Sequence, residues 1–384
     1  MNTIKINYIA PMSIIDFLNE INITDIIGDD SYKPGQLGNA IDIYTETFPD
    51  IDNADIILVG CGEQRGRGYL GPASNAPELV RKNLYNLFYW HENIKIADIG
   101  NIKQGATYND TQAALQTVLE ELQLLHKTVI IIGGSHDLTL AQYNASRNNK
   151  QLVEITGVDS IIDLDMESPF RNDNFLMEIF TGEPNYVKHY NHLGFQSYLV
   201  HPGMLQTLDK LKFDFFRVGH VKEDIEEVEP AIRNSHLFTF DINAIANAYA
   251  PSNQLTPNGF NGEEACILMQ YAGMSTNMQS IGIYGYNPQQ DRDELTAKQI
   301  SHMIWYTIDG RYRRLKEASF DQLEHFNEYQ MAFAEIESTF LQSKKTRRWW
   351  MQLPDKTYIP CSYKDYLAAG SNEIPERWFR AQQR

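Results

Sequence analysis

Short β-branched runs recur along the chain, and nearly every one ends in a glycine, an acid or a hydroxyl residue. The first is Asp55-Ile56-Ile57-Leu58-Val59-Gly60, followed by Lys95-Ile96-Ala97-Asp98-Ile99 and Thr128-Val129-Ile130-Ile131-Ile132. Residues 152–159, 215–218, 237–241 and 280–284 continue the series. Longer amphipathic stretches separate them: one starts at Pro77 with Glu78 in its first turn, and another covers 110–125. Strands alternating with helices specify a mainly parallel sheet covered on both faces. In such sheets a ligand binds outside the carboxyl ends of the strands. His136, Asp159, Asp163 and Asp241 all stand at such ends, so the sheet itself would gather them.

Composition removes other classes. The 384 residues hold 33 Lys+Arg against 50 Asp+Glu, a net charge of −17, which argues against nucleic acid and anionic lipid as partners. With 21 Tyr, 18 Phe and 5 Trp the chain is too aromatic for a disordered one. Cys61, Cys266 and Cys361 are too scattered for a disulfide framework or a zinc site. No apolar run approaches the ~20 residues of a membrane span, and residues 1–17 lack the layout of a signal peptide. The expectation is a cytoplasmic protein. From residue 311 the pattern changes: 311–342 reads as polar and mostly helical, and leads into Lys344-Lys345-Thr346-Arg347-Arg348-Trp349-Trp350. Residues 311–384 are therefore expected to form a helical or irregular appendage packed on a 1–310 domain, with the paired tryptophans covering an edge of the core.

Several segments, in order, resemble the ureohydrolase superfamily of arginase, agmatinase and formimidoylglutamase. They are Gly71-Pro72-Ala73 with Arg81, Gly133-Gly134-Ser135-His136-Asp137, Asp159-Ser160-Ile161-Ile162-Asp163-Leu164, Thr239-Phe240-Asp241-Ile242-Asn243 through Pro251, Asn258-Gly259-Phe260-Asn261-Gly262-Glu263-Glu264, and Gly285-Tyr286-Asn287-Pro288. The resemblance implies the three-layer α/β/α fold of arginase type over roughly 55–310, and it implies hydrolysis of linear amidines at a binuclear manganese centre. Two metals there would lower the pKa of a bridging water and aim it at the substrate carbon.

Carried over residue by residue, the resemblance places one metal on His136, Asp159, Asp163 and Asp241. The second would need a histidine and an aspartate where this chain has Ile161 and Asn243. Isoleucine cannot ligate, and an amide oxygen is a weaker donor than a carboxylate. The substrate-facing glutamate corresponds to Gly285, and the mobile histidine has no counterpart in 168–175; His189 and His192 come later but are displaced. A complete site balances four carboxylates against two divalent ions. Three carboxylates with one ion leave a single negative charge, whereas three without an ion are costly to bury. One Mn2+ or other divalent ion is therefore expected in preference to a metal-free site. A second register, with Asp163, Asp165 and Glu167 in the metal pattern, leaves the apolar run before Leu164 misplaced.

Blander roles exist for each residue. Ser135 or Asp137 could cap the helix after His136, Asp241 could cap a turn, and Glu264 reads as an ion-pair partner. Loop 60–68 lacks a nucleotide-binding spacing; its Arg65 and Arg67 would meet an acidic substrate or pair with nearby carboxylates. Cys61 has no activating histidine in sequence. The expectation is a catalytically degenerate relative with a binding or assembly role, homo-oligomeric, with a small molecule or a protein as partner. A single-metal hydrolase of an amidine or formimino C–N bond is the alternative.

Overall fold

The computed structural model describes residues 14–27 and 31–383; residues 1–13 of the N-terminal segment screened for a signal peptide lie outside them. Fourteen strands are present among the described residues: β1 Leu18–Asn19, β2 Asp42–Ile43, β3 Ile56–Gly60, β4 Ile96–Ile102, β5 Thr128–Ile132, β6 Val153–Val158, β7 Val187–Phe195, β8 Asp214–Arg217, β9 Leu237–Asp241, β10 Ser280–Tyr284, β11 Phe326–Phe333, β12 Ile336–Ser343, β13 Trp349–Gln352 and β14 Tyr358–Cys361. The main sheet runs β1-β4-β3-β5-β10-β9-β6-β7-β8, with β2 also on β4. Every pairing in it is parallel except that of β1 with β4.

The central strands β3, β5, β9 and β10 are buried at every residue, which is why they read as continuous apolar runs. Alternate side chains feed two cores. Ile56, Leu58, Ile130, Ile132, Phe238 and Phe240 meet Val80 and Leu84 of helix Ala76–Leu84, Leu268 and Met269 of Gly262–Met274, and Ile300 and Ile304 of Leu295–Arg314. Ile57, Val59, Ile99, Val129 and Ile131 meet Leu115, Val118, Leu119 and Leu122 of Tyr108–Leu124 and Ala141 and Ala145 of Thr139–Asn148. This is the three-layer α/β/α arrangement. Arg81 is fully buried; its guanidinium bonds Asp98 at 2.8 and 2.9 Å, Asn101 Oδ1 at 2.6 Å and the Gly100 carbonyl at 2.9 Å. It fastens its helix to β4.

The C-terminal region departs from the sequence expectation. Helix Leu295–Arg314 runs past residue 310, and the chain beyond it forms an antiparallel sheet, β11-β12-β13-β14, in place of the expected helix. Residues 326–333 alternate: Tyr329, Met331 and Phe333 turn to one face while Glu328, Gln330 and Ala332 are exposed. The polar composition hid that period of two. The β11–β12 hairpin turns through Ala334 and Glu335, at φ 44° and 64°, without the Asn-Gly signal that such a turn usually carries. The paired tryptophans do not cover the main core. Consecutive strand residues face opposite ways, so Trp349 joins Phe333, Phe340 and Trp378 while Trp350 joins Phe326 and Leu341.

Ion pairs and a ring contact join the two parts. Glu229 bonds Arg233 and Arg348, the latter at 2.6 Å, and Arg348 also reaches Glu317 at 3.4 Å. Arg233 donates to the Trp349 carbonyl and lies 4.6 Å from the Trp350 ring.

Candidate metal centre

Four adjacent strands build the site. β5 leads through Gly133-Gly134-Ser135 to His136, β10 ends before Gly285, β9 ends in Asp241, and β6 is followed by Asp159. Because β5, β10, β9 and β6 are neighbours, their carboxyl ends place these residues side by side. Asp163 returns to the same point from the loop after Asp159. His136, Asp159, Asp163 and Asp241 are each at most 3% exposed.

His136 Nδ1 lies 3.1 Å from Asp159 Oδ2, 3.0 Å from Asp163 Oδ2 and 3.7 Å from Asp241 Oδ2. Donor atoms of His136, Asp159 and Asp241 fall within 4.8 Å of one another, close enough to share a cation. Nδ1 nevertheless has no properly directed hydrogen bond, and neither has Asp163 Oδ1. The opposite ring nitrogen explains the orientation. Thr139 donates its hydroxyl proton to the His136 carbonyl at 2.8 Å, so its oxygen accepts from Thr239 at 2.8 Å. The Thr239 oxygen then accepts from His136 Nε2 at 2.9 Å. That relay puts a proton on Nε2 and turns Nδ1 toward three carboxylates; in metal sites the non-ligating ring nitrogen likewise donates its proton to a neighbour.

Such an arrangement is repulsive unless positive charge lies among the groups. Burial opposes a charged imidazole, but the carboxylates of Asp159, Asp163 and Asp241 outweigh it and hold the His136 pKa well above its usual value. Burial pushes Asp163 up to about 8 and Asp241 up to about 6, with the Asp159 charge adding to both. An imidazole lone pair with three acids converging on it fits a divalent cation, so the residues present suit the first metal of the family. Asp241 also caps the turn Ile242–Ala244, accepting from Asn243 N–H at 2.8 Å, the blander role expected for it.

Ile161, Asn243 and Gly285 all lie beside the cluster. Ile161 N–H and Asn243 N–H donate to Asp159 Oδ1 and Asp241 Oδ1, which brings both residues to the cluster without a second pair of ligands. Gly285 has φ +85°, and a Cβ built there would stand 2.7 Å from Asp241 Oδ1. The backbone itself closes against the carboxylate. Arg67, half-buried, donates to the Gly285 carbonyl at 3.3 Å, while Arg65 is held by Glu63 and by the carbonyls of Gly105, Ala106 and Thr107. Asp165 and Glu167 are exposed and bonded to each other locally, which removes the second register.

Other assignments resolve as well. Ser135 makes no capping bond to the next helix. Glu264 pairs with Lys222 at 2.8 Å and completes a capping box with Asn261. Burial pushes the Cys61 thiol up to about 12, which makes it a poor nucleophile. His189 and His192 are buried on β7: His189 meets Asp214 at 3.2 Å, and His192 bonds the Asp159 carbonyl at 3.2 Å. Sequence reasoning missed Thr239, Thr139 and Asn172, whose Oδ1 accepts the His136 N–H at 2.9 Å. Thr239 had a signal, because it lies two residues before Asp241 and so on the same strand face.

A mainly parallel sheet with an imidazole and carboxylates gathered at its central strand ends defines an arginase-type architecture with a candidate cation site. The Arginase family model matches residues 54–309, and the chain belongs to the arginase family. It is 23% identical over 262 residues to the formimidoylglutamase of Staphylococcus haemolyticus, covering 64% of this chain and 82% of the relative. With the formimidoylglutamase of Hahella chejuensis it shares 26% over 275 residues, 64% of this chain and 82% of the relative. Among solved structures, the Bacillus subtilis formimidoylglutamase superposes with TM-score 0.65 at 16% identity, over 74% of this chain and 95% of that one. The Trypanosoma cruzi formiminoglutamase, solved with Mn2+, gives TM-score 0.61 at 16% identity over 68% and 94%. No helix among the described residues is long and apolar enough to cross a membrane.

Proposed function

We propose that this chain is a catalytically degenerate member of its family, holding one divalent cation on His136, Asp159, Asp163 and Asp241 and serving as a binding or assembly component. The observation that carries the reading is the geometry at Gly285. The left-handed backbone brings this residue against Asp241, so no acid side chain stands there to receive a cationic substrate group. Ile161 and Asn243 leave a second cation without an imidazole or a carboxylate. The family's chemistry, activation of a water between two metals, therefore lacks its second half in this chain. The retained acids hold and orient a cation, and the hydroxyl relay from Thr139 through Thr239 keeps the imidazole turned toward it.

Elemental analysis of the purified protein tests the metal, with about one Mn2+ or other divalent ion per chain expected from charge balance. Incubation with formimidoylglutamate, agmatine and arginine in excess Mn2+ tests the activity: no formamide or urea is expected, and steady release of either overturns the degenerate reading. A single-metal hydrolase is favoured by one observation, the burial of all three retained carboxylates around His136. That reading predicts slow turnover that disappears together with the metal in Asp159→Ala.

A further inference from the structure

The C-terminal sheet carries a cavity of about 530 Å³ lined by Tyr329, Gln342, Arg347, Trp349, Tyr363 and Tyr366. The aromatic rings form a mutually packed cluster, in which Trp349 also meets Tyr363 at 5.6 Å and 38° and Tyr329 meets Tyr366 at 5.4 Å and 58°. Trp349 lies 4.7 Å from Tyr366 at 28° and 5.4 Å from Tyr329 at 29°, and Tyr363 stacks on Tyr366 at 5.9 Å and 20°. Tyr363, 54% exposed, is the ring of the cluster most open to solvent. Among the described residues none of the three phenol hydroxyls bonds to protein.

The charges beside the cluster are unusual in a chain of net charge −17. Of the four cations in 344–348, Arg348 is spent on Glu229 and Glu317, and the Lys344 ammonium bonds the Glu324 carbonyl. The side chains of Lys345 and Arg347 make neither an ion pair nor a hydrogen bond among the described residues, and Arg347 lines the cavity. The Arg347 backbone is fixed by its bond to the Ser343 carbonyl at 3.0 Å. Nearby acids are committed elsewhere: Asp365 to Arg377 and Ser362, and Glu317 to Arg348 and Thr346.

We propose that this cavity binds a nucleoside monophosphate. The base stacks on the exposed ring of Tyr363, Gln342 and the phenol hydroxyls bond its edge and the sugar, and Arg347 takes the phosphate. Aromatic faces accept any base by stacking, and a guanidinium is the side chain best suited to a phosphate. The site lies in the appendage, outside the arginase-family match, and does not depend on the metal-centre reading.

The test is calorimetric titration of the full chain with adenosine 5′-monophosphate, adenosine, ribose 5-phosphate and inorganic phosphate. Saturable binding of the monophosphate is expected, with both adenosine and ribose 5-phosphate weaker. Tyr363→Ala should lower affinity about tenfold, the scale of one lost base–aromatic stack. Arg347→Ala should weaken the monophosphate while leaving adenosine unchanged. Both residues are exposed, so an unchanged melting temperature verifies folding. No saturable binding at millimolar monophosphate overturns the proposal, as does inorganic phosphate binding equally well. Affinity that climbs with oligonucleotide length far beyond the monophosphate also overturns it, in favour of a single-stranded nucleic acid.

Discussion

Replacing Glu229 by Gln should loosen the contact between the arginase-type domain and the C-terminal sheet. Burial alone would raise the Glu229 carboxyl, but Arg233 and Arg348 overcome this and bring it from an ordinary 4.5 to about 2. Burial and the neighbouring Arg348 charge push the Arg233 guanidinium down, yet an arginine stays charged at any ordinary pH, so the carboxylate carries the titration. A lowering of that size corresponds to about 3 kcal/mol of stability at neutral pH. Because the folded-state value is the depressed one, the contribution is complete above the unfolded value near 4.5 and fades as pH falls toward 2. Glu229→Gln should therefore lose about 3 kcal/mol at pH 7, since two buried guanidinium groups are left without their shared carboxylate. The deficit should shrink steadily below the unfolded value. Urea unfolding of both proteins across this range measures it, and limited proteolysis reports whether the C-terminal sheet opens first. Lys364→Ala, which breaks an exposed pair with Asp224, is the control and should leave stability nearly unchanged. A Glu229→Gln deficit that is constant with pH, or as small as the control's, would refute the reasoning.

Other substitutions probe the metal centre. Thr239→Val removes the acceptor that fixes the His136 tautomer; Mn2+ affinity by competition with a chelator should fall about tenfold, and an unchanged affinity would remove the relay from the account. Ile161→His with Asn243→Asp supplies the missing ligand types, and elemental analysis should find bound Mn2+ rising from about one toward two per chain. Gly285→Glu should not restore a substrate acid: its Cβ meets Asp241 at 2.7 Å on a left-handed backbone, and thermal melts should show a loss of about 1–3 kcal/mol. Asp159→Ala should release the metal while the fold persists by circular dichroism.

The parallel sheet was legible because its central strands are buried on both faces, so the runs at β3, β5, β9 and β10 carry no polar alternation to confuse them. Once those runs were placed, His136, Asp159 and Asp241 came with them, since each sits within a few residues of a strand end. The hairpin of β11 and β12 was hidden by the same reasoning in reverse: its outer face is polar and its turn residues, Ala334 and Glu335, resemble helix formers more than turn formers. Gly285 shows a deeper limit. In the sequence it reads as an acid replaced by nothing, a subtraction that one substitution would reverse. In the structure its left-handed backbone takes up the space beside Asp241, and its carbonyl receives Arg67. An acid at that position must displace the Asp241 carboxylate or shift the backbone that bonds Arg67 and, through Gly285 N–H, the Gly134 carbonyl at 2.9 Å. Gly134 lies two residues before His136, so the Gly285 backbone is tied to the turn that presents the imidazole. The departure at Gly285 is thus built into the backbone that supports His136 and Asp241, and those residues cannot be judged separately from it.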